Sequence, residues 1–496
     1  MAGTRVTAND WLPCAAEGRA EAALHIPSIV KGILDGAASR DYHRLMRKSV
    51  HGLKRYLDFK YSVPLADRAA LAVAMYRVVT EEPTLDQHLQ KLFAQQLTRL
   101  LKRDPHEKLD IQLEWKPLFH ILDMLFFGKA RIPQTPLCPY LGYYFVCLAR
   151  VARHYFAPGA SEEIILQNRP FLCAQHTSSL LKGQVMLTLL LPRGPTSDLR
   201  FVREIMSMWG WVVAYADWDL HWMVLLASLS RHTYRTHGAQ WEEFVPELFS
   251  HVLHIIDLPV GASKIHIYGN MENSLASPEG SPFFSLATFV HLTGNRSKVL
   301  QLVHKVAKLI VYLLRPGGGV ALTMLGRIIK AVESYLHPSN GGYWTYRLSQ
   351  LLASLCEYVS ERVRAERQLP DDDPCKLRPE DINNIAALIL PLALQGLYSK
   401  SGTATLQSCV AFKYLGSLAA STTLPPLLER AYQALTTLTE VHQTNSALEA
   451  LAGVIYPVIR THNFEAGIGH VSELMGLTLS GIDANDLPKV ELNPKP

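Results

Sequence analysis

Apolar residues recur every three to four positions in many segments of the chain. One stripe surrounds position 307, a longer one runs from 348 to 363, and a third follows Pro425 and Pro426. This spacing puts the side chains on one face of a helix, which must then be buried against a neighbour. It predicts amphipathic helices, the third of them starting at the two prolines. The three stripes are Leu302, Val306, Leu309, Ile310 and Leu313; Leu348, Leu351, Leu352, Leu355, Val359 and Val363; and Leu427, Leu428, Ala431, Leu435 and Leu438.

Strand signals are few. The short β-branched runs Val212–Tyr215 and Ile265–Tyr268 lack flanking hairpin turns, and prolines are spread along the whole chain. Proline favours first helical turns and segment ends, so this distribution is typical of helices joined by short connections. Two-helix repeats of about 40–47 residues would fill the chain with about eleven units. The predicted fold is all-α, a HEAT/armadillo-like α-solenoid of stacked helix pairs.

Two segments have the composition of surface loops. Asn273–Pro282 contains two Ser-Pro steps, and Gln368–Pro379 combines prolines with the acidic triplet Asp371–Asp373. A solvated connector is the favoured interpretation of both segments, and a regulatory or docking segment is the alternative.

Composition narrows the possible classes of protein. The chain has 496 residues, 48% of them hydrophobic and 19% charged, and 49 basic residues nearly balance 44 acidic ones. It is therefore too long for one compact domain, and its charge predicts no sequence-specific nucleic-acid binding. The seven cysteines are widely spaced without a Cys-x-x-Cys pair, which indicates reduced thiols. No apolar run reaches the roughly 20 residues of a membrane span, and the N-terminus does not resemble a secretory signal.

A search for catalytic patterns predicts that the chain is not an enzyme. Pro316–Gly319 is rich in glycine, but no Gly-Lys-Ser/Thr follows, so a break between helices is favoured over a phosphate loop. His251 and His254 lie three positions apart without the zinc-protease pattern His-Glu-x-x-His. No Gly-x-Ser-x-Gly elbow occurs either. We assign no catalytic, cofactor-binding or metal-binding residue and expect no cofactor.

One basic stripe allows two interpretations. Arg44, Lys48, His51 and Arg55 share a helical face, where a polyanion such as an inositol phosphate or a nucleic acid could bind. A solvated face of an amphipathic helix is the favoured interpretation. The tryptophans stand beside aliphatic residues and are interpreted as packing anchors between helices.

Longer phrases of the sequence resemble a known family. A first set of phrases is Trp11–Pro13, Leu113–Leu118, Trp218–Trp222, Trp241–Phe249 and Leu258–Gly261, and a second set is Gly342–Gln350, Leu352–Arg364, Pro391–Ser401, Leu424–Arg430 and Ala431–His442. In this collinear order they are similar to the single-chain, ATP-independent HEAT-repeat proteasome activators of the subunit 4 or bleomycin-resistance type. The resemblance places the first set in an N-terminal arm at 1–285 and the second at the start of a middle HEAT-repeat region at 286–496.

The resemblance implies a non-catalytic regulator that caps the 20S proteasome core particle and promotes ATP- and ubiquitin-independent degradation. It also implies a link to acetylated-histone turnover and DNA repair, with histones as further partners, and localisation in the nucleus and cytosol. Members of the family are severalfold longer and dock through a C-terminal tail with a penultimate tyrosine. Because this sequence ends in Leu492–Pro496 without such a tail, we expect weak core binding by these residues alone. The alternative is a free-standing HEAT-type scaffold or transport adaptor.

Overall fold

The described part of the chain is helical. The computed structural model describes residues 15–59, 61, 63–82, 85–102, 109–127, 141–172, 177–194, 197, 199–209, 216–256, 298–338, 343–437, 440–460, 462 and 464–480. These residues contain nineteen α-helices, and their only strand-like pairings are the isolated bridges Leu113–Phe156 and Arg315–Gly318. The predicted strand signals at 212–215 and 265–268, and the predicted loop at 273–282, lie outside them. The predicted all-α fold is confirmed.

The described residues form two units. Unit 1 lies within 1–193 and unit 2 within 194–496. The predicted division between 285 and 286 stays a prediction. In unit 1 the helices are α1 Ala15–Ala38, α2 Arg47–Asp58, α3 Leu65–Glu81, α4 Gln87–Leu101, α5 Trp115–Phe127, α6 Leu141–Ala152, α7 Ala160–Leu172 and α8 Thr177–Leu190. A π-helical turn, Tyr42–Met46, precedes α2, and a 3₁₀ turn, Arg153–Tyr155, follows α6.

Unit 1 has two rows of helices. Helix α2 packs on α4, α4 on α6 and α6 on α8, while α1 packs on α3 and α3 on α5. The rows meet where α3 packs on α4 and α5 on α6. Phe93 of α4 and Phe145 of α6 are among the largest fully buried side chains. Alternation of this kind between sequence neighbours is the arrangement of a helical repeat array.

Unit 2 repeats this pattern more regularly. Its helices are α9 Arg200–Trp209, α10 Ala216–Thr233, α11 Gly238–Ile256, α12 Lys298–Leu313, α13 Val320–Val332, α14 Tyr343–Glu366, α15 Pro379–Gly396, α16 Gly402–Leu418, α17 Ala420–Thr437, α18 Val441–Ile459 and α19 Gly467–Ser480. The even-numbered helices from α10 to α18 pack on one another in sequence. The odd-numbered helices from α11 to α19 form the second layer in the same order. Successive helix pairs therefore stack as the solenoid prediction requires.

The three apolar stripes fall on helices α12, α14 and α17. All five stripe residues of α12 are buried, and so are the first five of α14 and the first four of α17. Leu438 lies outside the described residues. Val363, the last member of the α14 stripe, is only half-buried. Arg362 is fully buried in its place, a correction that the next subsection explains.

The predicted start of the third helix is wrong. Helix α17 begins at Ala420, so Pro425 and Pro426 lie inside it. The amide groups of Thr422 and Thr423 already donate to the carbonyl oxygen of Ala419, which fixes the earlier start. Pro391 likewise lies inside α15, on its exposed side. A carbonyl that loses its amide partner there can be hydrated, so the helix continues through the proline.

Candidate functional site: a buried arginine centre and an exposed apolar face

Little in the described residues suggests metal binding or membrane insertion. Among them, no group of three or more histidine, cysteine or acidic side chains is arranged to hold a metal ion. None of the helices in that part of the chain is long and apolar enough to cross a membrane. Cys147, Cys356, Cys375 and Cys409 are free thiols.

The basic stripe near the N-terminus is exposed. Arg44 lies in the π-helical turn, where the Asp41 carboxylate accepts a hydrogen bond from its backbone amide. Lys48, His51 and Arg55 follow on helix α2 and are exposed as well. Helix α2 buries Val50 and Leu53 instead. This arrangement fits the favoured interpretation, the solvated face of an amphipathic helix.

The glycine-rich segment is a tight turn between α12 and α13. Gly317, Gly318 and Gly319 all have positive φ angles, between 74° and 124°, which side chains other than glycine rarely adopt. The amide of Gly317 donates to Oδ1 of Asp381 over 2.8 Å, and Oδ2 of Asp381 accepts from the amide of Arg378 over 2.9 Å. A carboxylate of the chain therefore accepts from the first glycine amide of this turn, which fits a break between helices.

Where the structure describes them, His251 of α11 and the tryptophans are packing groups. The His251 ring stacks on Trp209, with ring centroids 4.2 Å apart. The side chain of His254 lies outside the described residues. Trp209, Trp222 and Trp241 are fully buried, and the indole of Trp115 donates to Glu163.

A buried polar network in unit 2 centres on Arg362. Its side chain is 1% exposed and that of Glu366 is 2% exposed, and Nε of Arg362 lies 2.7 Å from Oε1 of Glu366. Nη1 donates to the carbonyl oxygens of Val311 and Leu314 over 2.7 and 2.8 Å. Since these carbonyls end helix α12, the guanidinium meets the negative end of the helix dipole.

The same centre holds the connection between α14 and α15. Nη2 of Arg362 donates to the carbonyl oxygen of Cys375, and Oε2 of Glu366 accepts from the amide of Leu377 over 2.9 Å. The ring of Tyr234 lies 4.6 Å from the guanidinium carbon. Burial first, and then the Glu366 charge, raise the pKa of Tyr234. The Arg362–Glu366 pair therefore links the C-terminal ends of α12 and α14 to the loop that follows α14.

The predicted connector Gln368–Pro379 is more than a solvated loop. Arg235 forms a salt bridge with Asp373 over 2.7 Å, and the Asp373 carboxylate also accepts from the amide of Cys375. That amide, more than the Arg235 charge, lowers the pKa of Asp373. Asp371 is exposed and pairs only with Lys376. The loop is tied to the core through its second half.

Sequence reasoning did not single out Arg362 and Glu366. The available signal was their spacing of four on a helix, with an arginine falling inside an apolar stripe. Such a position requires pairing, because an unpaired buried charge costs several kcal/mol. The partners at 311, 314 and 377 carry no signal in sequence, since they are backbone groups.

Two of the buried thiols give a direct test of the core. Burial raises the pKa of Cys356 and raises that of Cys409 to about 12. Because the thiolate is the reactive form, we expect iodoacetamide at pH 8 to leave both unmodified in the folded chain and to label both in urea. Mass-spectrometric mapping of the half-buried Cys375, which should react without urea, is the control. Equal labelling of Cys409 with and without urea would contradict this packing.

The last two helices expose apolar side chains. Tyr456 of α18 is 68% exposed, and Met475 of α19 is 57% exposed. Ile468, Met475 and Leu479 share one face of α19, because they are seven and four positions apart. Val454, two positions before Tyr456 on α18, is fully buried. The exposed residues, called the terminal apolar face below, are Tyr456, Ile459, Ile468, Met475 and Leu479.

The terminal apolar face is expected to cause self-association. We predict that Met475→Lys with Leu479→Lys lowers the association constant of the chain at least ~10-fold, because each side chain loses an apolar contact of about 1.5–3 kcal/mol. Sedimentation velocity over a concentration series measures the change. Gln433→Lys with Thr437→Lys adds the same charge at exposed polar positions of α17 and should change nothing. If both double variants lower the association constant equally, the decrease comes from the added charge and not from the loss of apolar contacts.

Comparison with known proteins shows which family the chain resembles. Residues 325–492 match the family model described as "Proteasome activator complex subunit 4, mid HEAT repeats region". "Proteasome activator subunit 4" of Arabidopsis thaliana is 28% identical in an alignment 424 residues long that covers 80% of this chain. The chain is therefore similar to the proteasome activator subunit 4 family.

Vertebrate relatives in the family align over a similar range. "Proteasome activator complex subunit 4" of Homo sapiens is 25% identical over 438 residues and that of Xenopus laevis 25% over 441 residues, each covering 85% of this chain. In all three relatives the chain spans only 22% of their length. The resemblance inferred from sequence phrases is confirmed. The family model begins inside α13, so it covers helices of unit 2.

Proposed function

We propose that this chain supplies part of the repeat scaffold of a proteasome activator, a regulator that catalyses no reaction itself. The observation that carries the proposal is the alignment with relatives named proteasome activators over 80–85% of the chain. The stacked helix pairs of unit 2 agree with it, because an array of this kind offers a long surface to a large partner.

The finer parts of the proposal rest on the family resemblance. They are capping of the 20S core particle, degradation independent of ATP and ubiquitin, turnover of acetylated histones with a link to DNA repair, and residence in the nucleus and cytosol. The alternative to these functions is a free-standing HEAT-type scaffold or transport adaptor.

Binding of this chain to purified 20S core particles is expected to be weak. Binding has to overcome the loss of rigid-body freedom and the ordering of side chains, and affinity normally comes from a few focused anchors. The chain matches only 22% of its relatives' length. We expect a pull-down to retain little of it and a fluorogenic-peptide assay to show no stimulation. Tight binding with stimulated hydrolysis would show that this part carries its own docking anchor.

Exchange of the matching segment tests the activator function itself. The chain is inserted into the Arabidopsis relative in place of the 424 aligned residues, and core stimulation is measured. We expect the chimera to stimulate peptide hydrolysis, because stacked repeats are interchangeable when their end helices fit. A chimera with the matching Homo sapiens segment is the positive control. A folded chimera that binds the core without stimulating it, while the control stimulates, would contradict the proposal.

A further inference from the structure

Two arginines of unit 1 are buried beside the end of one helix. Arg153 lies in the 3₁₀ turn after α6 and is 9% exposed, and Arg193 follows α8 and is 5% exposed. Nη1 of Arg153 donates to the carbonyl oxygen of Thr188 over 3.2 Å, and Nη2 of Arg193 donates to the same oxygen. The two guanidinium groups therefore meet at a single acceptor.

This acceptor does not balance the charge. Thr188 lies in the last turn of α8, where a helix end carries roughly half a negative charge, against two full positive charges. The Nε atoms of Arg153 and Arg193 are buried without a hydrogen-bond partner. Within the described residues, neither guanidinium forms a salt bridge with a carboxylate.

The charges also repel one another. Burial, and then the neighbouring Arg150, lower the pKa of Arg153 to about 9. Burial first, and then Arg153 and Arg150, lower the pKa of Arg193 well below its usual value. A cluster of this kind is unfavourable unless an anion joins it, because a buried charge without a partner costs several kcal/mol.

We propose that Arg153 and Arg193 form a binding site for one small tetrahedral oxyanion, of the phosphate or sulfate type. Guanidinium groups present pairs of N–H donors in a planar fork that matches such an oxyanion. The low exposure of both side chains favours a free ion over a bulky polyphosphate. This site is separate from the exposed basic stripe on α2 and from the proposed activator function.

Thermal unfolding of the full chain tests the proposal. Inorganic phosphate, titrated against chloride at constant ionic strength, should raise the melting midpoint of the folded chain in a saturable way by roughly 2–4 °C. Sulfate should act similarly. In Arg153→Met and Arg193→Met the phosphate effect should be lost. In chloride alone, both variants should melt at or above the wild-type temperature, because they remove an uncompensated buried charge.

Three controls decide between this site and its alternatives. Arg77→Met changes an exposed arginine of α3 and should keep the full phosphate response. Inositol hexakisphosphate should not cause a rise in the melting midpoint that is lost in Arg193→Met. Asp198→Asn removes the nearest acidic residue along the chain from Arg193 and should leave the melting midpoint in chloride unchanged.

Any of three results would overturn the proposal. The first is a wild-type chain that shows no phosphate effect, and the second is a phosphate effect that survives in Arg193→Met. The third is a loss of stability in Asp198→Asn, because the counter-charge would then be a carboxylate of the chain itself.

Discussion

Arg362→Met should lower the free energy of unfolding of unit 2 by about 3–5 kcal/mol, the usual cost of removing one partner from a buried ion pair. The Glu366 carboxylate would stay buried without its counter-charge, and the carbonyl oxygens of Val311 and Leu314 would lose their donor. Hydrogen exchange of the peptides covering α12 and α14, together with thermal unfolding, measures the loss.

Two further variants separate charge from packing at this centre. Arg364→Met changes an exposed arginine two positions along the same helix and should cost little. Arg362→Met combined with Glu366→Gln should recover part of the stability. The side-chain carboxamide oxygen of the new glutamine can still accept from the backbone amide of Leu377, and no charge remains buried. A single Arg362→Met variant within about 1 kcal/mol of the wild type would mean that the pair contributes little.

Trp209→Ala is expected to produce the second large loss, again about 3–5 kcal/mol from the cavity alone. The Trp209 ring is fully buried in α9, and its Nε1 donates to Oδ1 of Asp219 in α10 over 2.6 Å. The His251 ring of α11 stacks on its face. Because one side chain touches three helices, faster hydrogen exchange should appear in all of them.

Trp209→Phe is the graded variant of this test. Phenylalanine keeps an aromatic face for His251 but cannot donate to Asp219, so we expect a smaller loss of about 1.5–3 kcal/mol, as for a hydrogen bond to a charged group. If Trp209→Phe and Trp209→Ala cost the same, the hydrogen bond to Asp219 would outweigh the packing. A change in protection from hydrogen exchange that is confined to α9 would contradict the three-helix arrangement.

The helical stripes could be predicted because burial of one face imposes a period on the sequence. The stripe residues of α12 are buried as predicted, namely Leu302, Val306, Leu309, Ile310 and Leu313. The start of α17 could not be predicted from Pro425, because backbone bonds to Ala419 fix it. The family resemblance was accessible through collinear phrases, although each phrase is mainly a packing signature.

The polar centres could not be predicted, and the reason is physical. Arg153 and Arg193 look like ordinary surface residues in sequence. Arg362 falls inside an apolar stripe, which indicates that it needs a partner but not which groups supply it. The burial of all three depends on carbonyl oxygens at helix ends, such as Leu314 and Thr188, which any residue type supplies. A period reports which face is buried, but it does not report which backbone groups a charged side chain will meet.

The order in which the even-numbered helices of unit 2 pack has a consequence for biosynthesis. Since α12 packs on α10, α14 on α12 and α16 on α14, each new helix finds a partner that the ribosome has already released. Among the described helices, the even-numbered row of unit 2 needs no later segment to close it, so little of its apolar surface waits for a distant partner during translation. Unit 2 can therefore grow helix by helix as it is synthesised, and a translational pause after Gly396 would leave α10, α12 and α14 already packed.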